Sequence, residues 1–520
     1  ILFLYEVEKY MNDFDIKYEI LNYDKYNKRI VEACNNPENK FPIVKQADLG
    51  QSKCGFAIEH YTIGNGPKHI VYMGGAHGNE IIGVDYVTQL MTNIALGKGT
   101  FADFDPNEFT IDFIPCQNPE GYFTTTYALN SVMKDMNPEE IEAFSKRYYQ
   151  AYKQDDINSL AVNACIRTVC DENGLSEVKE KLVKLFWKSK VNKSFTVDDV
   201  VNFLVANANL DKDIVSKRVV EIWEQRKLDP EMIVPGEKFH HKIFNSVTLD
   251  CIPEIDEKHK KLKESLKELY KNGNFPLATL ANFFANGSGV NLNDNNEYYF
   301  EEQKSQFAAE GIVYANLRDN NLAKTIPGPI GTSSIDLNGE FVCEPENQAL
   351  YNFLAKQDEM NQNYAFVNCH GTGGLFYLYP VADDDLEQAH DTGVERNFTF
   401  YINNRIATEY VKETGRAYED LKGTYDPYKQ VGYPNRITGV GDVLRKKYIA
   451  SFLLELSKAG GNPIAPYCDY KGNYVPTMVA NMRACSRMMQ TIRELDYLYD
   501  TNYTMHYENG RVVYGTTSRR

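Results

Sequence analysis

His77 and Glu80 form the only His-x-x-Glu in the chain, and they follow directly on the apolar run 69–73 and the pair Gly74 and Gly75. A strand ending in a glycine turn lifts the next side chains onto the rim of a sheet, where open α/β folds bind ligands. A neutral imidazole and a carboxylate there have the chemistry to hold zinc. Two further apolar runs end in matching groups: 364–368 leads through Cys369 to His370, and 448–454 leads into Glu455. In an open, mostly parallel sheet the carboxyl ends of the strands converge on one crevice, so His77, Glu80, His370 and Glu455 can meet despite their distance in the chain. Two histidines and one glutamate make a three-ligand set with a fourth position left for water, the layout of a catalytic zinc site, so one Zn2+ ion is the expected cofactor. Glu455 is then the spare carboxylate, able to take a proton from an attacking water and hand it to a leaving amine.

The elements that must position these groups are readable from periodicity. Residues 5–93 read as helix, loop, strand, strand, helix, and a further strand at 109–114 runs through Pro115 into a loop holding Asn118, Pro119, Glu120, Gly121 and Tyr122. From about residue 131 the chain turns lysine- and glutamate-rich with helical spacing, as in Val178, Leu182, Leu185 and Phe186, and in Leu262, Leu266 and Leu269 before Gly273. Thr196 followed by Asp199 predicts a helix start, with Val200, Phe203 and Leu204 on its apolar face. The tail predicts a helix over 478–495 and a hairpin turning at Asn509 and Gly510. The expected fold is α/β, with a mixed, largely parallel central sheet covered by helices on both faces and interrupted by an all-helical insertion. Its expected parts are 1–130, the first part of the sheet domain; 131–285, the insertion; and 286–520, the second part of the sheet domain with its final helix and hairpin.

Composition narrows the function classes. A formal net charge of -16, from 56 Lys and Arg against 72 Asp and Glu, argues against nucleic acid as a partner. No apolar run is long enough to span a bilayer, so no membrane partner is expected. The basic stretch 179–193 is interspersed with acids and reads as a solvated helix face. His240 and His241 point to opposite sides of an extended chain and read as a surface pair. Ten cysteines without a Cys-x-x-Cys pair read as buried thiols, which favours a cytoplasmic, reducing compartment. Ile1 stands where a methionine would open a chain, so a trimmed leader, and with it export, stays open. Nothing in the composition sets an oligomeric state.

With these residues in view, the sequence resembles the zinc carboxypeptidases, the carboxypeptidase A-like metallopeptidases. The resemblance spans about residues 40–125 and 287–500. Its pieces are 74–80, 118–122, 289–293, the His370 strand end, and 448–456, where Ser451-Phe452-Leu453-Leu454-Glu455-Leu456 looks like the family's catalytic-glutamate segment. The resemblance implies His77, Glu80 and His370 as zinc ligands, Glu455 as general base and acid, and Tyr433, 22 residues before Glu455, as a mobile tyrosine that caps the substrate.

Where the chain departs from the family, the departures concern substrate more than reaction. The family's Asp-Leu-Asn-Arg stretch reads Asn291-Leu292-Asn293-Asp294, so an acid replaces the arginine that would grip a terminal carboxylate. Asn293 remains as a neutral donor in that subsite. No arginine occurs in 123–132, where the family's oxyanion-stabilising arginine is expected, and Arg318, Arg405, Arg416, Arg436 and Arg445 are the candidates to replace it. Asn291 stands where the family has an aspartate that orients a zinc histidine. The leading expectation is a zinc hydrolase of peptide or amide bonds with altered specificity, acting on a peptide or a small amide, with Thr372, Gly373, Gly374 and the insertion as a wall or lid. A zinc-holding binding protein without turnover is a second reading, and a small-molecule deacylase or amidase on the same fold is a third.

Overall fold

The structure, a computed structural model, describes residues 13–189, 196–225, 247–273, 277–293, 295, 334–335, 341–371, 375–378, 395–397, 399–414, 450–457, 463–499, 501–508 and 511–518. Its centre is a seven-stranded sheet. In chain order the strands are β1 (Val44–Lys45), β2 (Tyr61–Gly64), β3 (Lys68–Gly74), β4 (Phe109–Ile114), β5 (Asn363–His370), β6 (Leu375–Leu378) and β7 (Ser451–Glu455). In space they run β1-β2-β4-β3-β5-β7-β6. The four central strands β4, β3, β5 and β7 are parallel, and antiparallel strands flank them on both sides.

Strands buried on both faces read as continuous apolar runs, and β3 and β4 are buried at nearly every position for that reason. Ile70 and Tyr72 of β3 point to the main core, which they share with helix α1 (Tyr23–Cys34) and helix α2 (Ile81–Ala95). Val71 and Met73 point to the other face, with Phe366 of β5 and with Ala349, Leu350 and Leu354 of a later helix, Pro345–Glu359. Helices therefore cover both faces of a mixed, largely parallel sheet, as expected.

Residues 118–122 are not a loop. Asn118 caps helix α3 (Pro119–Met133), its side chain accepting from the Gly121 N–H at 2.9 Å, and Pro119 takes the first helical position, where its missing N–H costs nothing. Gly78 packs so closely on Gly121 that a Cβ there would lie 2.3 Å from the Gly121 carbonyl carbon. Gly75 turns the chain out of β3 with φ +69°.

The helical stretch that follows has two attachments. Helix α4 (Pro138–Glu172) opens on a capping box between Asn137 and Glu140, and its later part joins α5 (Lys179–Ser189), α6 (Val197–Ala208) and α7 (Lys212–Gln225) in a separate apolar cluster that includes Val169, Phe186, Leu204 and Trp223. Thr196 and Asp199 cap α6 as predicted, and Val200, Phe203 and Leu204 are buried. On α5, Leu182 and Phe186 are buried but Leu185 is 39% exposed and Val178, just before it, is 40% exposed. Helix α8 (Glu257–Gly273) instead sends Leu262 and Leu266 into the main core. His259 pins it there, with Nδ1 2.6 Å from Asp256 and Nε2 3.1 Å from the Tyr127 hydroxyl.

Toward the end of the chain, Thr399–Thr414 and Val475–Glu494 are helices, and the hairpin pairs Thr501–Glu508 with Arg511–Ser518. Among the described residues, no helix is long and apolar enough to cross a membrane. The ten cysteines form no disulfide among these residues.

Candidate metal centre

His77 and Glu80 sit in the turn between β3 and α2, with Glu80 at the N-cap position of α2, and His370 is the last residue of β5. The neighbouring parallel strands β3 and β5 bring the two chain ends together. Nδ1 of His77 lies 3.2 Å from Nδ1 of His370, 3.0 Å separates His77 Nδ1 from Glu80 Oε1, and 2.8 Å separates His370 Nδ1 from Glu80 Oε2. Zinc–nitrogen bonds of about 2.0–2.1 Å in a tetrahedron put ligand atoms about 3.3 Å apart, so these spacings are close to those of a zinc ligand set. Two ring nitrogens and a carboxylate converging on one point can each offer a lone pair to a shared divalent cation. Among the described residues, this is the only group of three or more His, Cys, Asp or Glu side chains close enough to share an ion.

Electrostatics suit the same role. Burial pushes the His77 imidazole below its ordinary value, against the opposing pull of Glu80, and a ligand histidine must be neutral. Burial alone would raise the Glu80 carboxyl, but the two imidazoles beside it hold it well below the usual carboxylate range. The Gly371 N–H donates to Glu80 Oε2 at 3.1 Å, and the Phe284 ring stacks on His77 at 3.7 Å between centroids, so both side chains are fixed from outside the triad. Neither contact has a sequence signal, because each joins segments remote in the chain.

Glu455 ends β7 directly beside His370 in the parallel register and is half-buried. Facing residues on adjacent parallel strands project to the same side of the sheet, so its carboxylate shares the rim with His370. Asn291 is buried against His77 and favours the protonated ring, while His77 Nε2 itself makes no hydrogen bond of normal geometry among the described residues. The Asn291 side-chain oxygen accepts from the Asn293 N–H at 3.0 Å, which leaves Asn293 half-buried close to the centre. Asp294, Tyr433, residues 372–374, His240 and His241, and Arg318, Arg416, Arg436 and Arg445 lie outside the described residues. Arg405 is described, and Glu409 of its own helix holds it at 3.4 Å.

The model of the zinc carboxypeptidase family matches residues 30–161, the segment that contains His77 and Glu80. Over that segment the chain is similar to the zinc carboxypeptidases, consistent with a divergent member of the family. The cofactor of this family is a single zinc ion, and the His77, Glu80 and His370 group is suited to hold it. The similarity supports a metallopeptidase-like function, and peptides are the substrates of that family. Among solved structures, the chain is similar to bovine thrombin-activatable fibrinolysis inhibitor in complex with tick carboxypeptidase inhibitor, with 10% identity, 92% of this chain and 99% of that chain covered, and a TM-score of 0.41. It is also similar to carboxypeptidase A from Helicoverpa armigera, with 11% identity, coverage of 94% and 78%, and a TM-score of 0.36. A metallo-carboxypeptidase from Burkholderia cenocepacia is 21% identical over 20% of this chain and 29% of its own, with a TM-score of 0.17. No curated protein matches the chain.

Where the family has an aspartate behind a zinc histidine, this chain has Asn291, which adds no negative charge to the imidazole. Asn291→Asp is expected to slow metal loss to a chelator by about 10-fold or more, the usual scale for a partner of a ligand histidine. Equal retention of zinc by both proteins across a pH series would remove Asn291 from the account.

Proposed function

We propose that the chain is a zinc-dependent hydrolase of peptide or amide bonds, with His77, Glu80 and His370 as the metal ligands and Glu455 as the general base and acid. The observation that supports this reading is the register of β7 on β5, in which Glu455 pairs with His370 at the end of both strands. Zinc held by the triad would supply Lewis acidity toward a carbonyl and lower the pKa of a coordinated water. Glu455 would take the proton of the attacking water and deliver it to the departing amine, a role that needs a carboxylate within hydrogen-bond reach of both. Glu80 and the two imidazoles, buried and braced by Gly371 and Phe284, would hold the ligand geometry constant through that transfer. Asn293 would offer a neutral hydrogen bond to the substrate end, and Asp294 would turn the subsite away from a free terminal carboxylate, with Tyr433 closing over the bound substrate. The helical stretch 131–285 would wall one side of the entrance.

The test is hydrolysis of a mixed peptide pool, read as released amino acids beside the zinc content of the same sample. Chelation should abolish release, and stoichiometric zinc should restore it. Release that continues in metal-free protein would refute the zinc mechanism, and a zinc-loaded protein that releases nothing would favour a binding role.

A further inference from the structure

Just beyond Glu455 the chain takes a turn that an ordinary side chain resists. The Leu456 N–H donates to the His370 carbonyl at 3.0 Å and prolongs the β7–β5 register by one step. Ser457 then adopts φ +69° while buried, a left-handed conformation that few residues other than glycine and asparagine accept. The other two non-glycine residues with such a φ among the described residues are asparagines, Asn209 and Asn361. Asn473 is the partner that holds this turn. Its Nδ2 donates to Ser457 Oγ at 2.9 Å and to the Pro466 carbonyl at 2.9 Å, and Ser457 Oγ is 3.3 Å from Asn473 Oδ1.

Asn473 belongs to a single π-helical turn, Tyr470–Tyr474, a feature often kept at functional sites, and Asp469 ties that turn down by accepting the Gly472 N–H at 2.8 Å. The next residue, Tyr474, directs its hydroxyl to Asp85 and accepts from Gln89 at 3.0 Å. Asp85 and Gln89 lie on α2, the helix that begins at the metal ligand Glu80. A continuous series of hydrogen bonds and short chain segments therefore runs from the end of the Glu455 strand to the helix that carries a ligand.

We propose that Asn473 is a positioning residue that, through Ser457, fixes the Glu455 carboxylate relative to the metal ligands. This rests on the reading of Glu455 as general base. A base displaced by about 1 Å can lose about 100-fold in rate while the substrate still binds, so the signature is a fall in kcat at constant KM.

The experiment compares wild type, Asn473→Ala, Asn473→Asp, Ser457→Gly and the double variant Ser457→Gly/Asn473→Ala, with Glu455→Gln in parallel, in zinc-loaded full-length chain acting on one peptide. Asn473→Ala should lower kcat by about 10- to 100-fold with KM within about twofold and zinc content unchanged. Asn473→Asp keeps an acceptor for the Ser457 hydroxyl and should recover most of that loss. Ser457→Gly accepts the turn without strain, so it stays folded, yet it should lose kcat because the anchor is gone. The double variant should be no worse than the poorer single one, since both act through one contact. Unchanged kcat in Asn473→Ala, a loss confined to KM or zinc content, or additive effects in the double variant would overturn the positioning role while an inactive Glu455→Gln leaves the base assignment standing. An active Glu455→Gln, or a wild type without hydrolysis, would instead remove the base assignment and the positioning role with it.

Discussion

Glu455→Gln is expected to lower peptide hydrolysis by about 100-fold to 10,000-fold, the range that a positioned general base contributes, with zinc content unchanged. The amide keeps the size of the side chain and its place beside His370, but it cannot take a proton from water at neutral pH. Glu455 stands outside the group of side chains that converge for a metal, so its replacement should leave the ion in place. The contrast is with a ligand variant such as His370→Ala, which should lose zinc and activity together. Measured side by side as zinc per chain and kcat, the two variants separate a base from a ligand. Zinc loss in Glu455→Gln would make Glu455 a metal ligand, and retained hydrolysis would send the search for the base elsewhere.

The two residues in this contrast were legible as strand ends from the sequence for a simple reason. Central parallel strands are buried on both faces and therefore appear as largely apolar runs, so an ionisable side chain closing such a run marks its end, and His370 and Glu455 occupy such ends despite Asn368 and Ser451 within the strands. Pairing was not legible, because the register that sets Glu455 opposite His370 depends on which strands become neighbours and not on either strand alone. Residues 118–122 show how local signals mislead. Proline and glycine within five residues suggest a loop, yet Asn at the cap and Pro at the first helical position are also a helix start, and the structure takes that option. On α5 a regular apolar spacing predicts one buried face, but Leu185 lies at its margin and stays partly exposed, since a helix against a small cluster buries only a narrow stripe. Phe284, Asn473 and Ser457 gave no signal at all, because their roles consist of contacts across segments remote in the chain.

The same hub that anchors Tyr474 predicts the largest effect on stability. Asp85, on the buried side of α2, accepts from Arg29 Nη1 at 2.8 Å, from Gln89 at 2.8 Å, from the Tyr467 hydroxyl at 3.3 Å and from Tyr474. Burial raises its carboxyl above the ordinary value, and Arg29 is the foremost of the groups that oppose the rise. Arg29→Met keeps the length and apolar contacts of the side chain but leaves that carboxylate without its cation, which for a buried pair costs about 3–5 kcal/mol. The exposed contact of Arg29 with Glu19 adds little. The pH dependence has a definite sign. A carboxyl with a raised folded pKa binds its proton more readily in the native state, so its contribution is complete below the unfolded value of about 3.9 and is lost as pH rises through the folded value. Removing Arg29 moves that folded value higher still, so ionised Asp85 becomes costly over a wider range. The deficit of Arg29→Met in urea unfolding should therefore be largest at alkaline pH and shrink at acid pH, as the carboxyl takes up its proton. Adding Asp85→Asn should recover most of the loss at the higher pH and little at the lower. A deficit of equal size at both values would mean that Arg29 stabilises by packing and not by its charge.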